Sequence, residues 1–414
     1  MGHIGIIAEY NPFHNGHDYQ LTTVRRLFPD KHIITIMSGD FVQRGEPSVY
    51  NKYLRTKCAL LSGVDLVFEL PPLFATASAE HFASAAVLAL AATGVVDTLC
   101  FGAEDDCIDD FDTIANLLVS EPEGYRKLLK EHLKSGLSYP KARSLSISTY
   151  LKKPHYKDLL KRPNNILGIE YLKAVKRFHL SFTPIIIKRT GTGYHDLSLE
   201  SSLSSATAIR SDILKNGLTA SLENLLPKAV YGLLTEKPFA RPLFPKHFYP
   251  LLQYALWEHK TNLTGVLDIN ESLANQLAAL SSYPADYDSL INQLTAKNVT
   301  ASRIRHGLLN ILLGYTYKDM ENAKQNNYIT YLRLLGFNRS SGGILKQMKQ
   351  LSAIPIINKV ADASSLLSKE QFAAFEKDIS VSDLYRHVFT ATYHQIMKTE
   401  YEHTVIIHED VHTF

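Results

Sequence analysis

Two histidines near the start of the chain, His14 and His17, have the type and spacing to do chemistry. They follow an apolar run at residues 4–8 and are separated by Asn15 and Gly16. An apolar run that breaks at an Asn-Pro pair and restarts at a glycine is typical of a strand, a tight turn and a helix N-terminus. Because they are three residues apart, the two imidazoles would share one face of the first helical turn.

The first turn of a helix is a natural place to bind phosphate. Its backbone N–H groups lack partners within the helix, and the positive end of the helix dipole favours an anion. Gly16 would let the backbone approach that anion closely. The alternative is that both histidines are exposed residues of a surface turn. We expect the phosphate-binding role, because the pair follows the first strand of an alternating strand and helix pattern, where a nucleotide is expected.

Apolar runs alternate with helical patterns through the first half of the chain. The predicted strands cover residues 4–8, 32–37, 65–70, 96–101 and 182–187. Their continuous apolar character indicates a parallel sheet covered by helices on both faces. We therefore predict an α/β fold in which a doubly wound, Rossmann-like parallel sheet occupies residues 1–217. The ligand of such a sheet lies beyond the carboxyl ends of its strands.

The second half of the chain, residues 218–414, follows a different pattern. Apolar residues mostly recur there at spacings of three and four, and no strand run is evident before residues 404–407. This periodicity is typical of amphipathic helices. We therefore predict an all-α C-terminal domain. Residues 109–180 also read as broken helices, and residues 141–180 form a basic helical part of the first domain.

The charge distribution points to a polyanionic partner. Residues 1–120 hold 7 Lys+Arg against 15 Asp+Glu, and residues 121–414 hold 37 against 26. The segment 141–162 has seven cations against one aspartate, and we expect it to contact a polyanion. A solvated helical face is the alternative, because only Tyr150 and Tyr156 interleave as stacking rings. Further basic patches contain Arg303, Arg305 and His306, and Arg333, Arg339, Lys346 and Lys349.

Composition excludes several other classes. No run of about eighteen apolar residues exists, and no basic segment precedes an apolar one at the N-terminus, so we expect a cytoplasmic protein without membrane contact. Cys58, Cys100 and Cys107 form no Cys-x-x-Cys pair, which argues against a disulfide framework or a zinc site. The C-terminal histidines lack metal-ligand spacing and are expected at the surface: His394, His403, His408 and His412. We predict no metal ligands, and the sequence specifies no oligomeric state.

Several blocks in the first 215 residues carry a resemblance to known proteins. They are Glu9-Tyr10-Asn11-Pro12-Phe13-His14-Asn15-Gly16-His17, Gly39-Asp40-Phe41-Val42-Gln43-Arg44-Gly45, Phe101-Gly102, Pro163-Asn164-Asn165-Ile166-Leu167-Gly168 and Gly193-Tyr194-His195-Asp196. With the element Ser205-Ala206-Thr207-Ala208-Ile209-Arg210, the first half resembles the nucleotidylyltransferase superfamily. The ordered blocks are similar to the bacterial tRNA(Met) cytidine acetate ligase family. Residues 331–337 give a weaker match in the second half.

The resemblance implies an ATP-dependent ligase. Acetate would attack the α-phosphate of ATP, giving acetyl-adenylate and pyrophosphate. The acetyl group would then pass to the exocyclic amine of the wobble cytidine of elongator tRNA(Met), giving N4-acetylcytidine. ATP and Mg²⁺ are the implied cofactors, and acetate and tRNA are the implied partners. Residues 1–217 would be the catalytic, ATP-binding domain, and residues 218–414 would bind tRNA.

The same resemblance implies a set of site residues. His14 and His17 are expected to be catalytic and to hold the α-phosphate. The implied ATP-binding set is Ile7, Ala8, Glu9, Tyr10, Asn11, Pro12, Phe13, His14, Asn15, Gly16, His17, Asp18, Tyr19, Gln20, Gly102, Asn164, Asn165 and Arg189. One of the two asparagines is expected to be a helix N-cap and the other to meet the nucleotide. Gly102 would lie under the adenosine, or form a plain turn. Arg189 would meet a phosphate or the adenine edge, or be an ordinary surface arginine.

Other motifs keep two interpretations. Gln43-Arg44-Gly45 lines the acetate or acceptor site, or is only a loop. Ser205, Thr207 and Arg210 read more readily as a helix cap than as phosphate ligands. His195-Asp196 fits acid–base chemistry or a structural hydrogen bond.

Two other functions fit part of the pattern. The first is a small-molecule nucleotidylyltransferase that joins AMP to a phosphorylated cofactor precursor, although a helical half of nearly two hundred residues would then be idle. The second is a nucleotide-sensing RNA-binding module without catalysis, against which the intact His14 and His17 argue.

Overall fold

Parallel strands form the centre of the structure, a computed structural model that describes residues 2–189, 204–236, 239–260, 262–295 and 299–409. The strands are β1 (His3–Ala8), β2 (Ile33–Ser38), β3 (Phe41–Val42), β4 (Glu46–Pro47), β5 (Leu66–Leu70), β6 (Val96–Ala103), β7 (Thr183–Lys188), β8 (Leu332–Asn338), β9 (Ile356–Ile357) and β10 (Ile406–His408). The main sheet has the order β10-β8-β5-β2-β1-β6-β7, with β9 beside β8, and β3 and β4 form a separate hairpin. Every pair of the main sheet is parallel except β5 with β8.

Helices surround this sheet. Those of the first half are α1 (Asn15–Leu27), α2 (Lys52–Leu61), α3 (Pro72–Ala75), α4 (Ala79–Ala92), α5 (Ile108–Ser120), α6 (Glu123–Lys134), α7 (Tyr139–Tyr150), α8 (Tyr156–Leu159), α9 (Pro163–Arg177) and α10 (Ala206–Asn216). Those of the second half are α11 (Lys228–Glu236), α12 (Pro245–Glu258), α13 (Glu271–Ala278), α14 (Tyr287–Leu294), α15 (Ala301–Leu313), α16 (Tyr317–Gln325), α17 (Gly342–Leu351), α18 (Ala363–Leu366) and α19 (Lys369–Tyr393).

Both faces of the sheet are buried. Neighbouring residues of a strand point to opposite faces. In β2, Ile34 and Ile36 belong to a core beneath α4, α5 and α9, whereas Ile33 and Met37 belong to a second core beneath α1, α2 and α10. The strands are apolar along their whole length because helices cover both faces of the sheet. The predicted doubly wound α/β fold is confirmed. Helices α12 to α15 pack around a further core of their own.

The second half is not wholly helical, because it adds strands to the same sheet. β8 lies antiparallel to β5, with Leu66 opposite Phe337 and Glu69 opposite Arg333. The expectation of no strand before residue 404 is therefore wrong. A short apolar run fits a buried helix as well as a strand, so periodicity alone does not identify β8. The helical region predicted after residue 217 is present as α11 to α16, and the division of the chain at residue 217 stays a prediction.

Buried charges tie β8 to the first half. Lys52 is 0% exposed, and its Nζ lies 2.9 Å from Glu69 Oε1 and 3.2 Å from Glu400 Oε2. Arg333 places Nη1 3.2 Å from Glu69 Oε2 and also pairs with Glu400. Two cations thus face two carboxylates where β5, β8 and the segment before β10 meet. Removing one member of such a group leaves an unpaired charge in the interior.

The described parts of the chain bear on two expectations, those about membrane-spanning helices and about disulfides. None of the helices found there is both long and apolar enough to cross a membrane. Cys58 and Cys100 are buried thiols without a disulfide, and Cys107 is an exposed one.

Candidate nucleotide site

The first turn of α1 is built by the two histidines themselves. His14 is the N-cap, with φ −147° and ψ 173°, and its Nδ1 accepts the backbone N–H of Gly16 at 2.9 Å. His17 is the third residue of the helix, and its Nδ1 accepts the backbone N–H of His14 at 3.3 Å. This reciprocal capping explains the spacing of three. The rings share a face as expected, with centroids 4.0 Å apart.

Gly16 is required by the same turn. A Cβ built at this position would lie 2.7 Å from Cε1 of His14, which is closer than real Cβ atoms come. Any side chain at position 16 would therefore displace the His14 ring.

Both rings are uncharged at neutral pH. Burial, with help from Arg189 and Arg210, lowers the pKa of His14 to about 3. Burial, His14 and Arg189 hold the pKa of His17 well below its usual range. A neutral imidazole that accepts at Nδ1 carries its proton on Nε2. Each ring therefore keeps one N–H donor that the helix cap does not use.

These rings line a cavity of about 560 Å³ beyond the carboxyl ends of β1, β6 and β7. The predicted residues that line it are Ile7, Ala8, Glu9, Tyr10, Asn11, His14, His17, Gln20, Gly102, Asn164 and Arg189. The structure therefore brings together residues that are far apart in the sequence, at the edge of the sheet where a ligand is expected.

The remaining members of the predicted set lie outside the lining. These are Pro12, Phe13, Asn15, Gly16, Asp18, Tyr19 and Asn165. Phe13 is buried against the rings of Tyr10 and His17, and Asn15 donates its Nδ2 to the carbonyl of Asn224 at 2.8 Å. In this structure Phe13 and Asn15 therefore contact neighbouring parts of the protein and do not line the cavity.

The two asparagines of α9 have different positions. Asn164 lines the cavity and donates its Nδ2 to Glu104 Oε1 at 2.7 Å. Asn165 is fully buried, and its Oδ1 accepts the backbone N–H groups of Glu104 and Asp105 at 3.0 and 3.1 Å. The expectation that one of them is the N-cap is wrong, because α9 begins at Pro163 with Arg162 as its N-cap. The Glu104 carboxylate instead accepts the backbone N–H groups of Asn164 and Asn165 in the first turn of α9.

Gly102 and Arg189 lie side by side on the cavity wall. A Cβ at position 102 would meet no described atom closer than Cγ of Arg189 at 3.6 Å, so protein packing does not require a glycine there. The missing side chain leaves room in the cavity. Arg189 continues from β7, where its backbone N–H donates to the carbonyl of Ala103 at 2.8 Å.

Part of the lining is a wall that the ATP-binding set does not include. The β3–β4 hairpin contributes Gln43 and Arg44, and the N-terminal part of α15 contributes Ser302 and Arg305. The hairpin is held by a hydrogen bond of 2.7 Å between His306 Nε2 and the carbonyl of Gln43. Helix α15 thus brings the second half of the chain to the cavity. The sequence indicates Arg305 only as part of a basic patch, and nothing local places it here.

The ATP-binding set also omits an apolar wall. Phe82 of α4, Phe101 of β6 and Tyr171 of α9 line the cavity together with Ile166 and Leu167. Phe101, Ile166 and Leu167 stand in the sequence blocks that carry the resemblance, whereas nothing local distinguishes Phe82 and Tyr171 from core residues.

The start of α10 is the predicted cap and also lines the cavity. Ser205 is the N-cap, and its Oγ accepts the backbone N–H of Ala208 at 3.1 Å. Ser205, Thr207 and Arg210 all line the cavity. Arg210 donates to the carbonyl of Asn11 at 2.8 Å and so fixes the turn before α1. Gly193, Tyr194, His195 and Asp196 lie outside the described residues.

The basic segment 141–162 is partly neutralised within the protein. Arg143 pairs with Glu170, Lys153 with Asp110, Lys161 with Asp158 and Arg162 with Asp105. Four of its seven cations therefore have carboxylate partners, two of them in the acidic stretch before α5 and at its start. The excess of positive charge in the sequence overstates what this surface offers to a polyanion.

The described residues contain no group of three or more His, Cys, Asp or Glu side chains placed to hold a metal ion. His394 is exposed, whereas His403 and His408 are half-buried, and the His403 ring stacks on that of Tyr53 with centroids 3.6 Å apart. The expectation of a surface position therefore holds fully only for His394. His412 lies outside the described residues.

Comparison with known proteins places the chain in a family. The sequence model described as HIGH Nucleotidyl Transferase matches residues 1–400. A tRNA(Met) cytidine acetate ligase of Thermoanaerobacter sp. (strain X514) is 40% identical over 388 residues, which cover 93% of this chain and 95% of that protein. The chain belongs to the tRNA(Met) cytidine acetate ligase family. The resemblance drawn from the sequence blocks is confirmed.

Other members of the tRNA(Met) cytidine acetate ligase family are similar to this chain over nearly its whole length. The protein of that name from Caldanaerobacter subterraneus subsp. tengcongensis is 38% identical over 411 residues, covering 98% of this chain and 100% of that protein. A crystal structure of apo Thermotoga maritima TmcAL superposes with a TM-score of 0.92 at 29% identity, covering 99% of this chain and all of the other. The same protein bound with alpha-thio ATP superposes with a TM-score of 0.91 and the same coverage.

Proposed function

We propose that this protein is an ATP-dependent ligase that activates acetate and acetylates tRNA. Acetate attacks the α-phosphate of ATP, forming acetyl-adenylate and releasing pyrophosphate. The exocyclic amine of the wobble cytidine of elongator tRNA(Met) then takes the acetyl group, and AMP leaves. The product is N4-acetylcytidine.

One observation carries the proposal for the first step. His14 and His17 use Nδ1 to cap α1 and keep an Nε2–H donor each, in a cavity at the positive end of that helix. Adenylate formation needs little covalent help from protein and depends on positioning and charge stabilisation. Neutral donors with Arg189 and Arg210 beside them suit an α-phosphate whose charge changes during the reaction.

Two observations support the second step. Relatives at up to 40% identity over nearly the whole chain are named tRNA(Met) cytidine acetate ligase. Ser302 and Arg305 of α15 form one wall of the cavity, so the helical half is in contact with the place where the adenylate would form. A small-molecule nucleotidylyltransferase has no evident use for that wall.

Mg²⁺ belongs to the proposal as the partner of the ATP phosphates. Glu9 is the only carboxylate among the described lining residues, and its Oε1 accepts the backbone N–H of Gln43 at 2.9 Å. This lining does not fit a resident metal site made of protein ligands. We therefore assign no residue to the ion and no step to it.

Labelled acetate tests the proposal directly. The protein is incubated with ATP, Mg²⁺, labelled acetate and total tRNA, and the RNA is digested to nucleosides. We expect the label in N4-acetylcytidine from elongator tRNA(Met) alone. AMP transfer to a small phosphorylated acceptor would favour a nucleotidylyltransferase instead, and no ATP turnover would favour a sensor.

A further inference from the structure

Helix α12 carries an exposed pair of aromatic rings. Tyr254 is 58% exposed and Trp257, the single tryptophan of the chain, is 69% exposed. Their centroids lie 6.1 Å apart, with the planes tilted by 42°. The opposite face of the helix, which includes Leu252 and Leu256, is buried in the core that α12 shares with α13, α14 and α15. The fold therefore does not depend on the two rings, which lie on the solvent side.

One cation shares the helical face of the rings. Lys246 and Pro250 are exposed and precede Tyr254 and Trp257 at spacings of four, four and three, so all four residues share one helical face. Arg241 lies over the ring of Tyr393 and Lys260 donates to the carbonyl of Leu280 at 2.9 Å, so Lys246 is the cation of residues 239–260 that shares the face of the rings. Exposed flat rings with a cation on the same face are a feature of surfaces that bind single-stranded nucleic acid.

Helix α12 contacts the β3–β4 hairpin, which forms part of the cavity wall. Phe248 of the same helix packs against Phe41, with ring centroids 5.6 Å apart, and Phe41 stands two residues before Gln43 of the cavity wall. Trp257 follows nine residues later, about 14 Å further along the helix axis. A chain whose reacting base enters the cavity could therefore reach these rings with neighbouring nucleotides.

We propose that Tyr254 and Trp257 stack on unpaired bases of the RNA acceptor, beside the nucleotide that enters the cavity. This inference rests on the proposed function. A second copy of the chain is the weaker occupant. Even with Leu251, three side chains of at most about 250 Å² each supply less than the roughly 800 Å² that each partner contributes to a stable interface.

The single tryptophan allows a direct test. Its emission is followed while tRNA is added to the wild type, and we expect quenching when a base stacks on the ring. Trp257→Ala should weaken tRNA binding by about fivefold to a hundredfold in a filter-binding assay, because the loss of one base–aromatic stack lowers affinity by about that factor. Trp257→Phe, which keeps a ring, should stay within about threefold of the wild type. Tyr401→Ala removes a ring of 59% exposure outside α12 and serves as the matched control.

The outcomes separate the two proposals. Acetate-dependent pyrophosphate release without RNA, measured on each variant, reports on the nucleotide site alone. If the wild type binds no tRNA and transfers no acetyl group to it, the proposed function fails and the stacking inference fails with it. If the wild type binds tRNA and Trp257→Ala binds it equally tightly, only the stacking inference is overturned. A wild-type dimer that Trp257→Ala converts to a monomer in sedimentation would also overturn it.

Discussion

The side chains of Glu104 and Asn165 each accept a hydrogen bond from the backbone N–H of the other residue. Oε2 of Glu104 accepts the backbone N–H of Asn165 at 3.0 Å, and Oδ1 of Asn165 accepts the backbone N–H of Glu104 at 3.0 Å. The pair joins the loop after β6 to the first turn of α9. Gly102 lies just before this joint and Asn164 within it, so the joint sets one wall of the cavity.

The first prediction separates the two asparagines. Asn165→Ala should lower the free energy of unfolding by about 2–4 kcal/mol, because the buried Asn165 amide is the acceptor for two partly buried N–H groups. Asn164→Ala should change stability much less and raise the KM for ATP, because Asn164 lines the cavity. Urea unfolding and pyrophosphate release on both variants check this. Equal losses of stability would contradict the assignment.

The second prediction concerns His14. His14→Ala removes both the cap and the Nε2–H donor, so it should lower stability by about 1 kcal/mol and slow adenylate formation by about a hundredfold to a thousandfold. His14→Asn keeps a capping oxygen and loses the imidazole, so it should retain stability and still be slow. Pyrophosphate release is the measurement. A rate near that of the wild type for His14→Asn would remove His14 from the chemistry.

The third prediction concerns how the stability contributed by His14 changes with pH. Burial lowers the pKa of His14 to about 3, whereas an unfolded chain binds the same proton near pH 6.5. The stability contributed by this neutral ring is therefore fully present above about pH 6.5 and is lost as the pH falls toward 3. We expect the free energy of unfolding of the wild type, relative to that of His14→Asn, to fall by about 2 kcal/mol between about pH 7 and about pH 5. Urea unfolding of both proteins at each pH measures this difference, and a difference that rises on acidification is the opposite result.

The fourth prediction tests the buried charges. Lys52→Met should lower the free energy of unfolding by about 3–5 kcal/mol, because Glu69 and Glu400 lose a cation in the interior. Lys161→Met, which breaks an exposed pair with Asp158, is the matched control and should leave stability unchanged. Denaturant unfolding compares the two. Similar effects of both substitutions would mean that the buried pairs contribute no more than the surface one.

Local signals were sufficient for the first strand, the turn after it and the first helix. The apolar run at residues 4–8, the Asn-Pro break and the His-x-Gly-His spacing predict β1, the turn and α1, and each is present. Such features depend on neighbours a few residues apart, so the sequence records them directly. The parallel sheet follows as well, because continuous apolar strands between helices have few other ways to be buried.

Long-range pairing was decided only by the tertiary structure. β8 contains Arg333, and a charged residue makes the sequence less typical of a buried strand. In the folded protein Glu69 and Glu400, which are distant in sequence, neutralise that charge. The basic segment 141–162 meets the acidic residues around α5, and Arg305 reaches a cavity whose histidines are nearly three hundred positions away. Composition and periodicity describe each residue with its sequence neighbours. Which distant charges meet, and which helix closes the site, depends on how the elements pack.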